Sequence, residues 1–244
     1  MLDDLARRLR YRWRRLTKPP TVRLHGLTIR VDHPLIRDMA KSFYKETYER
    51  GEVALLSAVL RPGDRVIDIG SGIGLTAMFA ARAVGPSGAV LGFEANPEAL
   101  ALARAQAEAN GCAIEFRNAL LVSDPDAPAT LPFHLHPRFI SSTARADRPG
   151  AMREIALPTV PLPPLLAEFR PSVLSIDIEG FEVDLLSGLN DFGPVRAIVM
   201  ETHAAVTGAA ALATLEAHLA AAGFTRPADL VRGDTAAWLR EAPC

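Results

Sequence analysis

The stretch R-V-I-D-I-G-S-G-I-G at residues 65–74 constrains the chain more than any other. Apart from Asp68, residues 66–69 form a continuous apolar run, which suits a central parallel strand buried on both faces. The run empties into Gly70-Ser71-Gly72-Ile73-Gly74. Glycine there lets the backbone turn sharply and lets a ligand approach it closely. The spacing is G-x-G-x-G, not the G-x-G-x-x-G of dinucleotide binders. Asp68 could hold an ammonium group or order the loop, and a pyrophosphate would be repelled by it. The turn therefore favours a cationic, phosphate-free ligand such as S-adenosylmethionine, with Gly70, Ser71 and Gly72 against it.

From this point the chain alternates short β-branched runs with helical patterns. Strands are expected at 65–69, 89–94 and 112–116, with helices at 75–84 and 97–110 between them. The rhythm returns with a strand at 172–178, a helix at 181–188, a strand at 195–202, a helix at 209–222 and a final edge strand at 235–240. That order predicts an α/β fold with a doubly wound parallel sheet. Residues 118–160 are less regular, apart from a candidate strand at F-H-L-H, and read as a substrate-facing loop or lid. Ser141, Ser142 and Arg145 in it are candidate hydroxyl or anion contacts.

Chemistry-bearing residues collect at the expected strand ends. Glu94, in G-F-E-A-N-P, lies one βα unit after the glycine turn, where a carboxylate can accept both ribose hydroxyls of a nucleoside, with Ala95 beside it. Asn96 and Pro97 then open a helix as N-cap and first residue. Asn118 follows the third strand, as an adenine contact or as a turn residue. In L-S-I-D-I-E-G-F-E, Asp177 and Glu179 end an apolar strand, and strand alternation would point both to one side. Glu182 reads as solvated or as a helix cap. In V-M-E-T-H, Glu201 and His203 repeat the arrangement, and His203 suits a general base or a metal ligand. Open α/β sheets bind ligands at such ends.

Composition removes other classes. The chain has 244 residues, 49% of them hydrophobic, and a net charge of −1, so disorder and a globally basic nucleic-acid binder are excluded. Two cysteines without a C-x-x-C or Cys/His cluster argue against a disulfide framework or zinc finger and suit a cytoplasmic setting. The longest apolar candidate for a membrane span, residues 204–223, is broken by Glu216 and His218. No apolar stretch of a secretory signal follows the basic start.

Charge is uneven. Residues 1–18 hold seven basic and two acidic residues, leaving −6 on the remainder. Leu2, Leu5, Leu9, Trp13 and Leu16 recur at helical spacing, and Pro19-Pro20 ends the pattern. This is a basic amphipathic helix, either an arm packed by its leucines or a device for docking on an anionic membrane or an acidic partner. Residues 1–20 are thus read as an arm. Residues 21–60, with a hairpin turning at His25-Gly26 and two helical stretches, cover the site. Residues 61–244 form the main domain.

With these residues in view, the chain resembles the FkbM family of S-adenosylmethionine-dependent methyltransferases. The resemblance runs from about residue 48 to 203. It rests on the order Y-E-x-x-E (Tyr48, Glu49, Glu52), P-G-D (62–64), V-I-D-I-G-S-G-I-G, F-E-A-N-P, I-D-I-E-G-F-E and M-E-T-H. Ser71-Gly72 stand where the family usually has Ala-Asn, Ala95 where it has Pro, and Ser175 where it has Lys. The resemblance implies a class I methyltransferase (Rossmann-like) sheet of seven mostly parallel strands, with helices on both faces, a terminal antiparallel strand and here an N-terminal helical extension. It implies O-methylation of a small-molecule, sugar, glycan or natural-product hydroxyl. Glu52, Asp68, Gly70, Ser71, Gly72, Glu94, Ala95, Asn118 and Asp177 would hold the cofactor. Asp177, Glu179, Glu201 and His203 would face the acceptor and, if a divalent metal such as Mg²⁺ takes part, would hold it. A catalytically inactive binding module of the same fold is the alternative.

Overall fold

The computed structural model describes residues 2–135 and 153–241, with side chains from residue 5 onward. Helix α1 (Leu2–Thr17) leads into the hairpin of β1 (Thr21–Leu24) and β2 (Leu27–Arg30). His25 and Gly26 join these strands with φ of 50° and 82°, the double left-handed turn that matches strand twist. A 3-10 turn (Pro34–Met39), α2 (Ala40–Lys45) and α3 (Arg50–Val59) follow. The main alternation is β3 (Arg65–Ile69), α4 (Leu75–Val84), β4 (Ala89–Phe93), α5 (Pro97–Ala109) and β5 (Glu115–Arg117). Next come β6 (Leu120–Val122), β7 (Thr130–Leu135), β8 (Arg153–Pro161), α6 (Leu162–Phe169), β9 (Val173–Ile176) and α7 (Glu182–Ser187). The chain continues through β10 (Ala197–Glu201), α8 (Ala204–Thr207), α9 (Ala209–Ala221), β11 (Val231–Arg232) and β12 (Thr235–Leu239).

Seven strands form the main sheet in the order β11-β12-β10-β9-β3-β4-β5. The ladders from β10 through β5 are all parallel, and β12 runs against both of its neighbours. The expected final edge strand is therefore interior, because the two-residue β11 closes over its outer side. Alternate residues feed two cores. Val66, Val90, Val173 and Val199 pack with α3, α4, α5 and the hairpin, whereas Ile67, Leu91, Leu174 and Met200 pack with α6, α7 and α9. This is the two-sided burial that a continuous apolar strand requires.

The lid expected at 118–160 is built instead around a three-stranded sheet, β6-β8-β7, on both sides of residues outside the description. Ser141, Ser142 and Arg145 lie outside the described residues. β8 escaped the sequence reading because only Leu157 along its nine residues is buried, so no alternation shows.

At the entering ends of the strands, Asp64 ties together the starts of β3, β9 and β10. It accepts from the Arg61 N–H, the Ser172 hydroxyl and the Arg196 guanidinium. No helix among the described residues is long and apolar enough to cross a membrane.

Candidate active site

The chain leaves β3 toward β4 on one side, and β9 lies on β3's other side, which makes β3/β9 the switch point of the sheet. The glycine turn sits there. Gly70 has φ of +83°, and a Cβ on it would run into the Asp177 carbonyl at the end of β9. Gly70 and Ser71 both donate N–H groups to the Phe93 carbonyl at 2.9 Å, which ties the turn to β4.

Glu94 closes this arrangement. Its Oε2 accepts from the Gly72 N–H and its Oε1 from the Asn96 N–H, each at 2.7 Å. The Ala95 N–H adds a further backbone donor to the carboxylate. Burial pushes the Glu94 carboxyl up to about 7 despite these N–H donors. Asn118 donates its amide to the carbonyls of Glu94 and Ala95 at 2.8 and 2.9 Å, so it clips the strand end and leaves only Oδ1 for a ligand.

Asp68 and Ser71 lie beneath the turn, 2% and 1% exposed. Thr76 donates to Asp68 Oδ2 at 3.2 Å, and the Ser71 hydroxyl donates to the Asp68 carbonyl at 3.1 Å. Ser175 is paired in register with Asp68 and also hydrogen-bonds it. Burial raises the Asp68 carboxyl, against these three partners. Of the two roles open to Asp68, the geometry displays the ordering of the loop.

A cavity of about 840 Å³ opens above the turn. Gly70, Gly72, Glu94 and Ala95 line it, together with Glu49, Glu52, Asp177, Glu179 and Glu201. The volume falls within the usual range for small-molecule sites. The cavity wall is crowded with carboxylates. Burial raises Asp177 well above the usual carboxylate range, and Glu201, Glu179, Glu49 and Glu182 add to it. Burial brings Glu49 to about 8, and it raises Glu201 too, reinforced by Glu52. Oxygens of Asp177, Glu49 and Glu182 are buried without a hydrogen-bond partner. Such a surface suits a cation or hydroxyl donors.

Asp177 and Glu179 converge, though not by strand alternation. β9 ends at Ile176, and Glu179 occupies a left-handed turn with φ of 54°. Glu49, opening α3, is also left-handed at φ 47°. Non-glycine residues held this way concentrate at functional sites. Glu52 is set by the Thr235 hydroxyl, which donates to it at 3.0 Å.

Glu182 is neither solvated nor an ordinary cap. It is 2% exposed, and its Oε1 accepts from the Ile178 and Gly180 N–H groups and stands 2.8 Å from His203 Nδ1. An oxygen already accepting twice makes Nδ1 the donor. This turns Nε2 toward Asp177 at 3.6 Å and Glu179 at 3.8 Å. Burial lowers the His203 pKa, but the Glu182 bond and the surrounding carboxylates outweigh it, and the net shift is upward. His203 is not among the cavity-lining residues and reaches the cavity through Asp177 and Glu179. Among the described residues, the group able to hold a metal is Asp177, Glu182 and His203, which replaces Glu179 and Glu201 of the expected set with Glu182.

The methyltransferase FkbM domain model matches residues 68–225. The chain belongs to the FkbM methyltransferase family. Its glycine turn and acidic strand ends are thus those of an FkbM domain, and its seven-stranded sheet is the class I S-adenosylmethionine-dependent methyltransferase fold. Among curated proteins, the FkbM chain is 34% identical over 119 residues to an arsenite methyltransferase of Halobacterium salinarum, covering 43% of this chain and 30% of the relative. It is 32% identical over 130 residues to a 2-phytyl-1,4-naphtoquinone methyltransferase of Synechococcus elongatus, covering 48% and 56%. The chain thus spans about a third to a little over half of the length of these relatives. Among solved structures, a methyltransferase of Aquifex aeolicus superposes with a TM-score of 0.45 at 14% identity, covering 78% of this chain and 87% of the other. A ribosomal protein L11 methylase of Lactobacillus delbrueckii gives 0.43 at 18%, covering 81% and 80%.

Proposed function

We propose that the chain is an S-adenosylmethionine-dependent O-methyltransferase acting on a hydroxyl of a small molecule, sugar, glycan or natural product. The observation that carries this reading is one cavity lined both by the glycine turn with Glu94 and by a group of crowded carboxylates. Glu94 and the glycine turn offer a carboxylate and open backbone to a nucleoside. Asp177, Glu179 and Glu201 offer crowded carboxylates to hydroxyl groups and to a positively charged sulfonium. Asp177 Oδ1 makes no hydrogen bond, with His203 Nε2 3.6 Å from it, and so keeps room for a ligand's donor.

Bound S-adenosylmethionine supplies an electrophilic methyl whose transfer leaves a neutral thioether. The residues hold the acceptor oxygen in line and remove its proton, which is mainly a positioning task. Asp177, with its raised pKa, is a stronger base than an ordinary carboxylate once ionised, and it takes the hydroxyl proton. His203, oriented by Glu182, stabilises the ionised Asp177 and Glu179 through Nε2. Asp177, Glu182 and His203 could hold a divalent cation, which would polarise the hydroxyl. The two-cysteine composition supports a cytoplasmic setting.

The test is calorimetric titration with S-adenosylmethionine, S-adenosylhomocysteine and NAD, followed by a labelled-methyl assay on hydroxylated acceptors with and without Mg²⁺. Binding of both adenosyl ligands but not NAD, with label recovered in an ether, supports the proposal. No adenosyl binding refutes it, and binding without transfer to any hydroxyl favours the inactive-module alternative.

A further inference from the structure

Helix α1 is mounted with its apolar stripe outward. Leu5, Leu9, Trp13 and Leu16 are 56, 57, 58 and 84% exposed. At 100° per residue these four fall on one face, and Tyr11 and Arg14 fall on the opposite one. The inner face is fixed by charge. Arg10 donates twice to the Glu46 carboxylate, at 2.8 and 2.9 Å. The buried Arg14 donates to Glu46 at 2.8 Å and to the Tyr44 carbonyl at 3.3 Å. Lys45 of α2 lies 5.6 Å from the centre of the Tyr11 ring. The leucine stripe is therefore not what packs the arm. The ion pairs hold the polar side against α2 and leave the apolar side to solvent.

We propose that this face docks the protein on an anionic lipid bilayer, with α1 lying in the plane of the headgroups. Charge selects the occupant. Residues 1–18 carry net +5 while the rest of the chain carries −6, so the attraction to an anionic surface is local to this helix. Arg12 borders the stripe and Arg15 lies further round on the same side; both are exposed, and their long side chains can reach phosphate headgroups as the stripe enters the acyl boundary. Trp13 in mid-stripe suits the interface, where its ring is apolar and its N–H is wet. The same α2 that anchors α1 supplies Lys41, Ser42 and Lys45 to the cavity wall. A bilayer bound by α1 would thus lie about one helix diameter, ~10 Å, from that wall. The inference does not depend on the methyl-transfer reading, because it concerns a surface outside the cavity.

The test is co-sedimentation of the full chain with phosphatidylcholine vesicles and with vesicles carrying about a third phosphatidylglycerol, at low and high salt. Two double variants accompany it, Leu9→Glu with Trp13→Glu and Arg12→Glu with Arg15→Glu. All four positions are exposed, and unchanged melting and far-ultraviolet circular dichroism would certify the fold. Partition to the anionic vesicles, weakened by salt and reduced about tenfold or more in each variant, supports the proposal. No partition, or equal partition to neutral vesicles, overturns it. So does a wild-type dimer in light scattering that the Leu9/Trp13 variant converts to monomer, because the stripe would then be covered by a second copy.

Discussion

Glu182 Oε1 stands 2.8 Å from His203 Nδ1 while accepting the N–H groups of Ile178 and Gly180, so one buried oxygen fixes both the β9–α7 turn and the imidazole. Glu182→Gln keeps an acceptor for the turn and removes the charge. The His203 pKa, raised in the native protein, should fall, as read from NMR titration of the ring. The stabilisation from a raised histidine is fully present below its ordinary pKa of 6.5 and is lost as pH climbs through the folded value. The variant's deficit of about 1–3 kcal/mol should therefore be greatest on the acid side. An unmoved His203 pKa would show that Glu182 does not set it.

Glu94→Ala should weaken S-adenosylmethionine binding by about 10- to 100-fold, the equivalent of one or two charge-assisted hydrogen bonds. His203→Ala should leave that affinity nearly intact and lower turnover. Titration of both variants beside a methyl-transfer assay checks this, and equal losses of affinity would sink the division of labour between Glu94 and His203.

Glu49 and Glu94 hold protons in the folded chain up to about 8 and about 7, from an ordinary value of 4.5. Between these values the folded state binds more protons than the unfolded one, so stability should fall as pH rises from about 4.5 to about 8. Each group contributes at most ~1.4 kcal/mol per pH unit. Ligand-free melting curves across this range test the slope, which Glu49→Gln should flatten. Affinity for a cationic ligand should rise over the same interval, because the acids ionise.

Gly70→Ala should be severe. The added Cβ meets the Asp177 carbonyl, and φ of +83° disfavours any L side chain. A loss of about 1–3 kcal/mol in denaturant unfolding is expected, with cofactor titration abolished. Wild-type behaviour of this variant would mean that the turn and β9 are not in contact.

A double-mutant cycle on Arg14→Ala and Glu46→Ala should return a coupling of about 1–2 kcal/mol, because the Arg14 side chain is 9% exposed and Glu46 is its charged partner. The single variants should also speed proteolysis of α1 without touching the cavity's acids.

Much of this fold is written in local pattern. Residues 66–69, 90–93 and 197–200 read as buried parallel strands because apolar runs end at glycine or a carboxylate, and they are β3, β4 and β10. The site's acids were legible for the same reason, since carboxylates at the ends of such strands have few structural excuses. Glu182 was not, because its role depends on a side chain folding back from the first turn of α7 to reach His203, twenty-one residues later. The mounting of α1 was also hidden. Its leucines announce an amphipathic helix, but which face turns inward is decided by Glu46, thirty-two residues beyond Arg14.

The Asp64 cluster joins Arg61, Ser172 and Arg196 where β3, β9 and β10 begin, and Asp177, Glu179 and Glu201 sit where β9 and β10 end. Foundation and workbench occupy opposite rims of one sheet. Substitutions in the turns after β9 and β10 therefore reach the cavity while leaving the anchoring rim untouched.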